Sequence, residues 1–117
     1  MMKRALIVGG ANGIGLAIAK ELSASDACEK VYIVDKAILS EEYQDEKIES
    51  FVFDLTSADY SFFNRFTDID SLFISAGFGK LSLFKDLDEQ YIINSFKVNT
   101  IACIRTSKHF YNRLLQQ

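Results

Sequence analysis

Apolar residues fall in short bursts separated by glycine and acidic positions, and the spacing within each burst changes along the chain. Ala5-Leu6-Ile7-Val8 is a fully apolar run, the pattern of a strand buried on both faces of a parallel sheet. Glycines follow, and from Ile14 the spacing becomes helical, with Ile14, Ala17, Ile18 and Leu22 expected on the packed face. Val31-Tyr32-Ile33-Val34 predicts a second strand, β-branched and aromatic, ending at Asp35. Ser40 to Lys47 is polar and acidic and reads as a solvated loop or short helix. Phe51-Val52-Phe53 predicts a third strand ending at Asp54, and Ser57 a helix cap for a segment carrying Tyr60, Phe63 and Phe66. Leu72-Phe73-Ile74 predicts a fourth strand, halted by Ala76-Gly77 and Gly79.

From about Asp86 the pattern is helical without a breaker. Ile92, Ile93 and Phe96 mark one stretch, and Ile101, Ile104, Phe110, Tyr111, Leu114 and Leu115 the next. These positions occupy more than one face, so the helix is expected to bury two sides. Strands alternating with helices give a parallel sheet with helices packed on its faces. The helical pattern runs into Gln116-Gln117 with no Gly, Asn or Pro to end it, the expectation being a chain cut inside this element.

Composition adds exclusions. The 117 residues are 49% hydrophobic and 25% charged, which excludes a disordered or collagen-like chain. A net charge of −3, with acidic and basic residues interspersed, leaves no basic patch for nucleic acid. Proline is absent and no linker or repeat divides the chain, so residues 1–117 are expected to form one domain. One histidine and two separated cysteines exclude a His/Cys zinc site. Cys28 and Cys103 read as small core residues of a protein from a reducing compartment, and His109 as an ordinary helix histidine. The apolar run before Gly9 is too short for a secretion signal, and no segment reaches membrane-span length. The expectation is a cytoplasmic, soluble protein.

Candidate chemistry is concentrated at Gly9-Gly10-Ala11-Asn12-Gly13-Ile14-Gly15, between the first strand and the first helix. A dinucleotide pyrophosphate must approach backbone N–H groups at a helix N-terminus, where the dipole favours negative charge and a Cβ would obstruct. Gly15 lets helix and strand pack closely. Asp35 ends the next strand, twenty residues after Gly15, where a carboxylate can accept from the adenosine ribose hydroxyls. The same charge repels a 2′-phosphate, so NAD is expected over NADP; Lys36 is the competing signal.

The Gly-x-x-x-Gly-x-Gly spacing resembles the short-chain dehydrogenase/reductase family. Further pieces match in order. Asp54-Leu55 resembles the pair this family places against adenine, and Ile74-Ser75-Ala76-Gly77 its Asn-Asn-Ala-Gly segment. Val98-Asn99 resembles its helix asparagine, first member of the catalytic tetrad. The resemblance runs from about Lys3 to the final residue. It implies a Rossmann-like parallel sheet, truncated after the fourth strand and a long helix. It further implies cofactor contacts from Gly9, Asn12, Gly13, Ile14, Gly15, Asp35, Lys36, Asp54, Leu55, Ala76 and Gly77, and a catalytic role for Asn99. A surface or helix-bending asparagine is the alternative reading of Asn99, and Asn94 reads as surface.

Two departures stand out: Val8 replaces the family's threonine and Ser75 its asparagine, so a polar bridge beside the turn is expected to be lost. The implied catalytic serine and Tyr-x-x-x-Lys would follow a further strand and helix. Tyr32 to Lys36 and Tyr43 to Lys47 fit that string, but one lies on a strand and the other on the adenosine side. The chain is therefore expected to carry the nucleotide-binding part of an NAD(P)-dependent oxidoreductase of alcohols or carbonyls, inactive by itself. The alternative is a non-catalytic dinucleotide-binding module or pseudoenzyme. Phe78, Leu81 and Phe84 are expected to form the near wall of a small-molecule substrate pocket. An open fourth-strand edge and an apolar long helix predict a homodimer or larger.

Overall fold

A computed structural model describes residues 3–77 and 83–116. Four strands, β1 (Arg4–Val8), β2 (Lys30–Asp35), β3 (Ile48–Val52) and β4 (Ser71–Ile74), form one parallel sheet in the order β3-β2-β1-β4. Val8 pairs with Val34 on one side and Ile74 on the other, so the ends of three strands align beside the glycine turn. The helices are α1 (Gly13–Ala24), α2 (Glu89–Phe96) and α3 (Ala102–Leu115), the last two joined by a π turn, Lys97–Ile101.

Alternation along the central strand divides the core. Ile7 joins Leu16, Ala19, Cys28, Val31 and Ile33 in a cluster beneath α1. Leu6 and Val8 point the other way, into a second cluster with Phe63, Ile69, Ala102 and Phe110. Residues Ala5 to Val8 have no exposed surface, as the fully apolar run predicts.

Several expectations need correction. On α1 the buried residues are Gly15, Leu16 and Ala19, while Ile14 is 76% exposed and Ala17 also faces solvent. The helix start is pinned through Gly15, where an added Cβ would lie 2.9 Å from the Ser75 hydroxyl, and this rotates the packed face. Ser57 caps no helix. The segment after it forms a five-residue 3-10 turn, Ser61–Arg65, and the Asp59 carboxylate accepts from the Ser61 amide at 2.8 Å. The third strand starts earlier than its aromatics suggest, at Ile48, and Phe53 lies beyond it, although its amide still donates to the Asp35 carbonyl.

The long helical region buries one side, not two. Ala102, Thr106 and Phe110 pack inward, whereas Ile104, Tyr111 and Leu115 stay exposed. Cys28 is buried as expected, but Cys103 is exposed, because it lies outside that inward row.

Candidate nucleotide-binding site

The glycine turn leaves β1 through Gly9, whose φ of +91° suits glycine. An alanine there would place Cβ 2.6 Å from the Ala76 Cα, so the turn can press against the end of β4 only as glycine. The Gly9 amide donates to the Val34 carbonyl at 2.7 Å, and the Ser75 amide donates to the Val8 carbonyl at 2.8 Å. The expected loss of a polar bridge here is corrected: the Ser75 hydroxyl donates to the Gly9 carbonyl at 3.2 Å. A shorter side chain at position 75 thus still ties β4 to the turn.

Asn12 is the N-cap of α1, yet its side chain makes no capping bond, and the first turn carries no acidic residue. Amides at a helix start that no side chain caps are suited to an anion. Gly13, at φ +57°, has nothing within 4 Å of an added Cβ, so the turn is open on that side. At the end of β2 the Asp35 carboxylate accepts from Ala11 N–H and from Ala37 N–H, each at 3.0 Å. One carboxylate therefore fixes both the glycine turn and the chain leaving β2. These features fit a dinucleotide, with amides for the pyrophosphate and a carboxylate edge for a ribose.

Beside them lies a cleft of about 450 Å³. Gly9, Asn12, Asp35, Lys36, Asp54 and Leu55 line it, and so do Ala76 and Gly77. Gly13, Ile14 and Gly15 do not: Gly15 is buried against the turn, and Ile14 projects to solvent at the helix start. Lys36 is largely exposed, with Nζ 3.8 Å from the Asp54 carboxylate. The Thr56 amide and hydroxyl donate to Asp54 at 2.9 and 2.8 Å, and with the Lys36 charge they hold its pKa below the ordinary carboxylate value against a smaller upward push from burial.

The far part of the cleft comes from the long helical region. Tyr91, Asn94 and Val98 line it, so Asn94 is a cleft residue and not the surface position expected from sequence. Its Oδ1 accepts from Gln90 Nε2 at 2.8 Å. Asn99 lies in the π turn and donates through Nδ2 to the Ser95 hydroxyl at 3.2 Å. An added Cβ on Gly77 would stand 2.9 Å from Asn99 Oδ1, so glycine lets the segment after β4 meet the asparagine. Phe53, Thr56, Ser75 and Tyr91 are further lining residues that the sequence reading did not select; Ser75 and Thr56 were legible as neighbours of the chosen motifs.

Phe84 is 90% exposed, and Phe78 and Leu81 lie outside the described residues. Neither Tyr-x-x-x-Lys string forms a pair in the cleft. The Tyr32 hydroxyl donates to Asp68 at 3.1 Å, while Lys47 Nζ donates to the Ser25 carbonyl at 2.9 Å. Among the described residues no group of His, Cys, Asp and Glu is arranged to hold a metal ion. Among the same residues no helix is long and apolar enough to cross a membrane.

The family model for short chain dehydrogenases matches residues 3–117. The chain belongs to the short-chain dehydrogenase family, whose members are NAD(P)-dependent oxidoreductases. Solved structures agree on the fold. A bulky-bulky ketone specific alcohol dehydrogenase from Comamonas testosteroni superposes with a TM-score of 0.82 at 23% identity, covering 98% of this chain and 50% of that one. A short chain dehydrogenase from Leptospira borgpetersenii with bound NAD+ gives 0.79 at 23%, covering 96% and 46%. An NADPH-bound carbonyl reductase from chicken fatty liver gives 0.75 at 19%, covering 95% and 48%. The chain thus spans about half the length of the structures it matches. No curated protein matches it.

Proposed function

We propose that this chain binds a nicotinamide dinucleotide in the cleft and supplies the cofactor-binding part of an oxidoreductase of alcohols or carbonyls. The observation that carries this reading is the Asp35 carboxylate joined to the Ala11 amide, which sets the acidic group beside the glycine turn. The amides at the start of α1 would hold the pyrophosphate, and Asp35 would accept from the adenosine ribose. The segment Asp54 to Thr56 lies beyond Asp35, where the adenine would rest. Hydride transfer is the chemistry that the cofactor supplies when bound.

NAD(H) is favoured over NADP(H). Asp35 would repel a 2′-phosphate at close range, and Lys36, the cation that could offset it, faces the Asp54 carboxylate. Calorimetric titration with both cofactors tests this. Tighter NAD(H) binding supports the reading, and tighter NADP(H) binding ends it.

Asn99 is not itself a lining residue of the cleft but stands beside Gly77 and Val98, which are, and it is the candidate catalytic residue of this chain. Neither Tyr-x-x-x-Lys string brings its tyrosine and lysine together in the cleft, so the 117 residues by themselves bind cofactor without turnover. That observation equally favours a non-catalytic dinucleotide-binding module as the second reading. Steady-state assay of the chain with NAD(H) and simple ketones or alcohols tests both, since measurable turnover would remove each.

Assembly and setting complete the proposal. β4 lies at a sheet edge, and Leu72, Ile74, Tyr111 and Leu114 line an apolar groove beside it. Such a surface favours self-association, a homodimer or larger. Sedimentation at micromolar concentration should give a mass above 13.2 kDa, and a clean monomer would remove this part. The free thiols of Cys28 and Cys103 fit a reducing cytoplasmic setting.

A further inference from the structure

The two sets of cleft residues come from parts of the chain far apart in sequence. Asp54, Leu55 and Thr56 follow β3, while Tyr91, Asn94 and Val98 belong to the helical region that runs into α3. A cleft assembled this way needs something to fix the spacing between the two sets. Arg105, on α3, provides it. Its Nη1 donates to the Ser57 carbonyl at 2.9 Å and its Nη2 to the Ala58 carbonyl at 2.8 Å. Its guanidinium lies 3.5 Å from the centroid of the Tyr60 ring. Tyr60 is 7% exposed, and its hydroxyl donates to the Leu55 carbonyl at 2.8 Å. Arg105 thus grips the loop directly at residues 57 and 58 and through Tyr60 at residue 55.

We propose that Arg105 is a positioning residue that sets the adenosine end of the cleft, holding the Asp54–Thr56 wall through the Ser57 and Ala58 carbonyls and through Tyr60. This rests on the cofactor reading above. A planar guanidinium can bridge two successive carbonyls and stack on a ring at once, which a point charge cannot do. Leu55 and Tyr60 pack on the core beneath the loop, and the Lys36 charge lies 3.8 Å from Asp54. The Ser57 side chain bonds within the loop, the Asp54 carboxylate accepts from Thr56, and the Asp59 carboxylate accepts from the Ser61 amide, so Arg105 is the side chain that ties the 57–58 carbonyls to α3. Arg113 offers the natural comparison: it ties the same helix to the Ile69 carbonyl at 3.1 Å, ahead of β4 and away from the adenosine wall.

The test measures AMP and NAD+ affinity by calorimetry on the 117-residue chain, with thermal midpoints alongside. Arg105→Met should weaken AMP binding about tenfold and NAD+ by a similar factor. Tyr60→Phe, which keeps the ring beneath the guanidinium, should weaken AMP by a smaller factor. Arg113→Met should lower the thermal midpoint while leaving AMP affinity within about twofold. AMP affinity unchanged in Arg105→Met, or lost equally in Arg113→Met, would overturn the proposal while wild-type binding keeps the cofactor reading intact. If Arg105→Met does not fold, Tyr60→Phe decides: unaltered AMP affinity there also overturns it. A wild-type chain that binds neither AMP nor NAD+ would remove the cofactor reading and this inference together.

Discussion

Asp35 accepts a hydrogen bond from the Ala11 amide at 3.0 Å, across a separation of 24 residues, and so couples the end of β2 to the glycine turn after β1. The same carboxylate is the group proposed to meet the ribose. Its removal therefore acts twice, on turn geometry and on cofactor contact. Asp35→Ala should weaken NAD+ binding by roughly tenfold or more, the scale of a lost charged hydrogen bond, and should narrow or reverse the preference over NADP+. Competitive calorimetry reads both effects. An unchanged ratio of the two affinities would detach Asp35 from cofactor choice.

Two glycines of the turn should respond unequally to alanine. At Gly9 an added Cβ stands 2.6 Å from Ala76 Cα and 2.8 Å from the Ser75 carbonyl carbon, both backbone, at φ +91°. Gly9→Ala should cost more than about 3 kcal/mol and threaten folding. At Gly13 the added Cβ meets nothing within 4 Å, leaving only the strain of φ +57°. Gly13→Ala should cost about 1 kcal/mol, read by urea denaturation.

Acid should destabilise the chain partly through Asp70. Burial pushes its pKa up, but hydrogen bonds from the Lys3 and Arg4 amides and the Ser71 hydroxyl together hold it below the ordinary carboxylate value. A carboxylate depressed in the folded state stabilises above its unfolded pKa of about 4, and that stability is lost as pH falls through the folded value. The thermal midpoint should fall on acidification below about pH 4, and less steeply in Asp70→Asn, which cannot titrate. Equal slopes in the two proteins would contradict the assignment.

Thr106 is the buried polar side chain of α3. It has no exposed surface, and its hydroxyl has no hydrogen-bond partner among the described residues. Thr106→Val keeps the shape and removes the desolvated hydroxyl. It should stabilise by about 1 kcal/mol, raising the thermal midpoint by a few degrees. A lower midpoint would show that the hydroxyl is satisfied in solution.

Strands and turn were legible because apolar runs ending at Gly9, Asp35 and Gly77 are local signals. Faces were less so. The packed side of α1 depends on Gly15 meeting the turn and Ser75, a contact between segments 60 residues apart that no periodicity carries. On the long helical region the π turn at Lys97–Ile101 inserts a residue and shifts the phase of everything after it. That shift separates the inward row of Ala102, Thr106 and Phe110 from the cleft residues Tyr91 and Asn94, which precede it. Arg105 left no trace in the sequence reading, since its partners are two main-chain carbonyls and an aromatic face.

The most direct test of the central claim maps NAD+ onto the backbone by amide NMR of the isotope-labelled chain. Binding in the cleft predicts the largest shifts at Asn12 to Gly15, Asp35 to Ala37 and Asp54 to Thr56, with Leu72 and Leu114 unmoved. Shifts confined to the groove beside β4, or none at millimolar NAD+, would contradict it.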